Sequence, residues 1–148
     1  EHKLTVNELA NLNPQIKNIN LIYTGETIIT NKNERDLLTR IVHAEAEGES
    51  HEGKVAVALV VLNRVDSKDF PNTITDVIYQ KGQFSPVSNG RINTITPTNA
   101  SVVAVNEALE KRYIDRQSLF FYNPAIATSR WLDTRETVRV VGNHVFKK

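Results

Sequence analysis

Val55-Ala56-Val57-Ala58-Leu59-Val60-Val61-Leu62 is an unbroken apolar run set between Lys54 and Asn63. At eight residues it falls well short of the roughly 18 that a membrane span needs, and no longer apolar run occurs in the chain. A helix that is apolar on every side has to be enclosed by other elements. Ser50 can cap its start, so the run predicts a central core helix from Ser50 through about Arg64. Upstream, Gly48 stops an earlier helix, for which Asn33 is the expected N-cap. Glu34 and Asp36 sit in its first turn, and it runs to about Glu47.

Downstream of the core helix, a polar link from Asp66 to Pro71 leads to a short helix near Thr73 to Tyr79. Lys81 to Pro97 is then a long segment of Gly, Ser, Asn and Pro, and loops of that length usually carry function or are disordered. A helix fits Thr98 to Arg112, with Val102, Val105, Ala108 and Leu109 on one side, and Ser118 to Tyr122 is strand-like. Thr137 to Val141 and His144 to Phe146 flank Gly142-Asn143, a pair suited to a tight hairpin. The expected class is α+β, mainly helical, with a small antiparallel sheet.

Residues 1 to 30 differ in character from the rest and read as a separate small unit, with the main domain over 31 to 148. Val6 to Leu12 has a short helical pattern ended by Asn13-Pro14, since proline disfavours helix at the residue before it. A turn at Tyr23-Thr24-Gly25 and a β-branched run from Thr27 to Thr30 predict a strand after it. The chain opens on Glu1 instead of methionine, as after removal of a leader or a longer N-terminal region.

An apolar content of 40% suffices for a core. The net charge of +1 comes from scattered side chains, without the basic stripe that nucleic acid requires. Absence of cysteine excludes disulfides, thiolate metal sites and a cysteine nucleophile. His51-Glu52 opens like a zincin motif, but Val55 stands where the second histidine must be. Gly82 and Gly90 lack the spacing of a phosphate loop. Neither a metal nor another cofactor is expected.

In the helix before Gly48 the apolar residues are Leu37, Leu38, Ile41 and Val42. Position 45 continues that inward stripe and is a glutamate. Glu47 follows Arg40 and His43 on the polar side, within pairing distance of His43 at i,i+4. Burial disfavours the charged form of a carboxyl group and raises its pKa, as a general acid near neutral pH requires. Periodicity leaves two readings of Glu45 equally open: a general acid in a cleft, or a helix-end residue paired with an arginine such as Arg64.

The segments Ile41-Val42-His43-Ala44-Glu45-Ala46-Glu47-Gly48-Glu49, Gly53-Lys54-Val55-Ala56-Val57-Ala58 and Val61-Leu62-Asn63-Arg64-Val65 closely resemble the cell-wall hydrolase family of the spore-cortex-lytic enzymes SleB and CwlJ. The likeness continues, in family order, over about residues 33 to 148. It takes in Phe70-Pro71-Asn72-Thr73-Ile74, Val77-Ile78-Tyr79, Gln83-Phe84-Ser85, Phe121-Tyr122-Asn123-Pro124, Ala127-Thr128 and Gly142-Asn143-His144-Val145-Phe146. The front segment, Val6 to Pro14 and Leu21 to Ile29, is similar to the C-terminal half of a LysM module, which binds N-acetylglucosamine-containing glycans.

The resemblance implies a lysozyme-like domain similar to the lytic transglycosylases, with Glu45 as the single catalytic acid. Its substrate would be the peptidoglycan glycan strand, cut between N-acetylmuramic acid and N-acetylglucosamine. Two alternatives stand beside it: a hydrolytic muramidase or glucosaminidase, and a non-catalytic wall-binding or germination protein. An ordinary glycosidase needs a second carboxylate, for which Asp133 and Glu136 are the candidates outside the helix. Gln83, Phe84 and Ser85 are expected to bind sugar, with a buried loop anchor as the competing role. Tyr122, Asn123 and Trp131 are expected to face a cleft, core packing being about as common a fate for such aromatics. His144 is either a polar site residue or a satisfied structural one. Glu49 either lines the cleft or, as the favoured role, caps the next helix. The implied setting is secreted, or associated with cell wall or spore, as a monomer, with spore or cell-wall proteins as further partners.

Overall fold

A computed structural model describes residues 4–14, 16–18, 20–23 and 28–148. Six α-helices and three strands are found among these residues. The helices are α1 (Val6–Leu12), α2 (Lys32–Ala46), α3 (His51–Asp66), α4 (Ile74–Tyr79), α5 (Ser85–Ser88) and α6 (Asn99–Glu110). The strands are β1 (Phe120–Tyr122), β2 (Thr137–Val141) and β3 (His144–Lys147).

α3 occupies the place that its composition requires. Every residue from Gly53 to Arg64 is buried, and α2, α4, α6 and the sheet pack around it. Each fully buried Val or Leu removes enough apolar surface to contribute about 1.5–3 kcal/mol before the entropy of ordering is subtracted. Ser50 caps the helix, its Oγ accepting from Gly53 N at 3.2 Å. Lys54 is also buried. Its Nζ donates to the carbonyl oxygens of Glu47, at 3.3 Å, and of Glu49. A cation is thereby fixed at the negative end of the α2 dipole, which locks the tight corner between α2 and α3.

The N-cap of α2 lies two residues before the expected one. Asn31, not Asn33, is the N-cap, its Oδ1 accepting from Asn33 N at 2.9 Å. Leu38, Ile41, Val42 and Ala46 form the buried stripe. The segment from Lys81 to Pro97 is more ordered than its composition suggests, since it contains α5 and a 3-10 turn at Arg91–Asn93. α6 ends at Glu110, earlier than expected, and a 3-10 turn follows at Arg112–Ile114. Its buried face is Ser101, Ala104, Val105, Ala108 and Leu109. Val102 lies at the edge of that face and is exposed.

The three strands form one antiparallel sheet in the order β1-β3-β2. β3 pairs with β2 through the Gly142-Asn143 turn and with β1 through Phe121↔Phe146 and Tyr122↔Val145. This register carries the C-terminal end of β1 alongside His144 at the start of β3. Buried Asp115 fixes the approach to β1. Its carboxylate accepts from Gln117 N and Ser118 N, both at 2.9 Å, and from Ser118 Oγ at 2.5 Å, and it pairs with Arg139 at 3.3 Å.

Of the front segment, α1 forms as expected, capped by Thr5. Thr24 and Gly25 of the expected turn and the first residue of the Thr27–Thr30 run lie outside the described residues, and Ile28 to Thr30 carry no strand. Leu12 and Ile29 are buried and join the common core. Asn13 bridges them, its Nδ2 donating to Ile29 O at 2.8 Å and its Oδ1 accepting from Ile29 N at 2.7 Å.

Candidate functional site

Glu45 lies in the last turn of α2, where the buried stripe meets the surface, and its side chain is half-buried. It opens on a cleft of about 740 Å³. Arg64 of α3, Gln83 and Ser85 at the start of α5, Phe120 to Asn123 of β1, the loop from Ile126 to Ser129, Trp131, Leu132 and His144 form the other walls. Glu45 makes no hydrogen bond or ion pair with the described residues, so the pairing with Arg64 left open by periodicity does not form. Burial raises its pKa from the usual 4.5 to about 7, against a smaller downward pull from Arg91.

Arg91 is held in place at the end of α2. Its Nη1 donates to Ala44 O at 3.1 Å and its Nη2 pairs with Glu47. The expected His43–Glu47 contact is a marginal 3.9 Å. His43 is instead buried with its Nδ1 3.1 Å from Ser101 Oγ. Two glutamates two residues apart thus have different fates: Glu47 is an exposed ion-pair partner, and Glu45 an unpaired acid in a cleft.

The other expected site residues separate by the structure into three groups. Gln83, Ser85, Tyr122, Asn123, Trp131 and His144 all reach the cleft. Trp131 is 54% exposed, so much of its side chain meets solvent at the cleft. It meets Phe120 edge-on at 5.4 Å, and the Arg135 guanidinium lies over both rings. Tyr122 is oriented by Asp133, its Oη donating to Oδ1 at 2.5 Å. Asn123 shapes the next loop, its Oδ1 accepting from Ala125 N at 2.9 Å and its carbonyl from Ala127 N at 3.0 Å. Burial holds the His144 imidazole below its usual pKa, opposed by the charge of Glu49, and its buried Nδ1 has no partner.

Phe84 stands outside the cleft wall. It is 3% exposed and packs under the Arg64 guanidinium at 5.3 Å, which makes it the buried loop anchor. Glu49 also departs from both expected roles. It neither lines the cleft nor caps α3, which Ser50 does. Its carboxylate accepts from Asn143 N at 3.3 Å and Asn143 Nδ2 at 3.1 Å, tying the β2–β3 turn to the α2–α3 corner.

The two outlying carboxylates do not line the cleft. Asp133 is taken up by Tyr122 and by Arg130 at 2.6 Å, and Glu136 lies beyond it on the way to β2. Glu45 is therefore the only carboxylate among the described cleft-lining residues. Among the described residues no three His, Asp or Glu side chains gather in a way that could hold a metal ion.

Sequence reasoning did not assign Arg64 or Phe120 to the walls, nor give a role to Arg91 or the loop from Ile126 to Ser129. The Ala127-Thr128 segment carried family likeness without a stated role, and Arg91 is an unremarkable cation until the chain folds back to α2.

Fold and cleft together define a class: an α+β domain with one half-buried, unpaired carboxylic acid facing an open groove with aromatic and polar walls. A family model described as Cell Wall Hydrolase matches residues 48–147. The chain belongs to that family. The matched stretch begins three positions beyond Glu45 and takes in every other wall of the groove. A spore cortex-lytic enzyme of Bacillus cereus is 38% identical over 117 residues, covering 79% of this chain and 45% of that protein. The chain thus spans less than half the length of this curated relative. Two solved structures are similar over most of the chain. The catalytic domain of the Bacillus cereus SleB protein has a TM-score of 0.74 at 36% identity, over 86% of this chain and 98% of that one. The catalytic domain of the germination-specific lytic transglycosylase SleB from Bacillus anthracis has a TM-score of 0.73 at 36% identity, over 86% and 100%.

Proposed function

We propose that this chain degrades bacterial peptidoglycan by cutting its glycan strands, as a lytic transglycosylase acting between N-acetylmuramic acid and N-acetylglucosamine. The observation that carries the reading is the unpaired Glu45, with its pKa raised to about 7, as the only carboxylate among the described residues of the groove wall. Similarity to spore cortex-lytic enzymes and to a lytic transglycosylase catalytic domain supports the substrate class.

The chemistry follows from one group used twice. Near neutral pH a large share of Glu45 is protonated, so it can donate to the glycosidic oxygen as an oxocarbenium-like centre develops. The resulting carboxylate, stabilised by the nearby Arg91 charge, then takes the proton of the muramic acid C6 hydroxyl. That oxygen closes on C1 to give a 1,6-anhydro sugar. Water is not consumed, and no second carboxylate is required. Gln83, Ser85, Tyr122, Asn123 and His144 offer hydrogen-bonding groups to the sugars, and the exposed Trp131 offers a surface for a pyranose ring. The setting that follows is the cell wall or the spore, outside the membrane. Residues 1–30 are proposed as a partial LysM-like segment ahead of a catalytic domain at 31–148.

Mass spectrometry of digested wall tests the reading. Anhydro-muramic ends are expected, and reducing ends heavier by one water would replace the transglycosylase with a hydrolase. Glu45→Gln is expected to abolish cleavage. Near wild-type lysis by that variant would overturn the single-acid mechanism, and a lack of activity in both forms would favour a wall-binding role.

A further inference from the structure

Arg64 is the one charged residue of the groove that this chemistry does not use. It is 4% exposed and forms no ion pair with the described residues. A guanidinium carries five N–H donors, yet only Nε is engaged, donating to Leu119 O at 2.7 Å. Nη1 is buried with no partner. Three aromatic rings surround the group, Phe70 at 4.9 Å, Phe84 at 5.3 Å and Phe120 at 5.5 Å. They fix the plane of the guanidinium and offset part of its charge, but they cannot accept its in-plane hydrogen bonds as an oxygen does.

Burying an uncompensated charge is costly, and such groups are normally paired. The groove makes the imbalance specific. With Glu45 in its acid form and His144 held below its usual pKa, Arg64 is the only charged side chain left among the described groove residues. Burial lowers the Arg64 pKa only to about 10, so it stays a cation at neutral pH. The charge that acts on Glu45 is that of Arg91, not Arg64.

We propose that Arg64 is a specificity-determining residue that pairs with a carboxylate carried on a side group of the bound glycan. The inference rests on the glycan-cleaving reading of the groove. A planar fork with free N–H groups suits the two oxygens of a carboxylate. The desolvated, aromatic surround strengthens such a pair relative to one in water.

The test uses Glu45→Gln protein, so that ligand binds without being cut. It is titrated with muramic-acid-containing oligosaccharides bearing free lactyl carboxylates, with the same oligosaccharides after amidation, and with N-acetylglucosamine oligomers. The carboxylate form is expected to bind at least about tenfold more tightly than the amide, or about 1.4 kcal/mol. Adding Arg64→Gln should erase that ratio, and Arg64→Lys should retain part of it. A merely structural Arg64 would weaken all three ligands alike and leave the ratio intact, which overturns the proposal. Equal binding of carboxylate and amide to protein with Arg64 present also overturns it, whether or not the Arg64 variants fold. Binding of none of the three glycans would defeat the underlying reading of the groove instead.

Discussion

Glu45→Gln should make the protein more stable above pH 7 while removing its activity. Burial raises the pKa of Glu45 from 4.5 to about 7, so the folded state binds the proton more tightly than the unfolded chain does. Any stabilisation tied to that proton is fully present below the ordinary carboxylate value and is lost as pH rises through about 7. Wild-type protein therefore carries an ionisation cost that grows between those limits. At about 1.4 kcal/mol for each pH unit, the displacement corresponds to a cost of about 3 kcal/mol above pH 7.5 as an upper figure, since water in the groove screens part of it. Glutamine matches the protonated acid in shape and never ionises. The variant should equal wild type at pH 4 and exceed it by up to about 3 kcal/mol at pH 8, or about 6–12 °C in Tm. Denaturant titrations of both proteins at the two pH values measure this directly. A difference that does not change with pH, or a variant less stable at pH 8, would mean that the Glu45 charge is compensated in the fold. The physical basis for its role as an acid would then be gone.

Three other outcomes follow from local geometry. Gly142 has a φ of +56°, and an added Cβ would stand 2.1 Å from Glu49 Oε2. Gly142→Ala should cost about 2 kcal/mol or more, and less in a Glu49→Ala background, as a double-mutant cycle would reveal. Ser50→Ala removes the α3 cap and should cost about 1 kcal/mol by denaturant unfolding, with the groove intact. Trp131→Ala removes an exposed ring that only partly packs on Phe120. It should raise KM for glycan severalfold with a Tm change of only a few degrees, and an unchanged KM would exclude Trp131 from ligand contact.

Much of this protein is legible from local sequence, because local physics decides it. An eight-residue apolar run in a helix has no polar face to turn outward, so α3 had to be central. A glutamate one step along the stripe of Leu38, Ile41 and Val42 had to sit where core meets surface. Gly142-Asn143 between two strand-forming segments had to turn, and the positive φ of Gly142 bears this out. Family likeness favoured the general-acid reading of Glu45, which periodicity had left balanced against a salt bridge.

Tertiary structure alone decided the partners. Glu49 bonds to Asn143, which lies 94 positions along the chain, and no helical period reports that distance. Phe84 is adjacent to two groove residues in sequence, yet it turns inward because Arg64 packs over its ring. Arg91 reaches α2 across the long segment to hold Glu47 and bear on Glu45. Arg64, expected as one possible mate for Glu45, sits among three phenylalanines from three parts of the chain with its Nη1 unpaired. Periodicity fixes which face a residue shares, since that depends on rise and turn within one element. Which charge meets which depends on how the elements pack, and only the folded chain sets that.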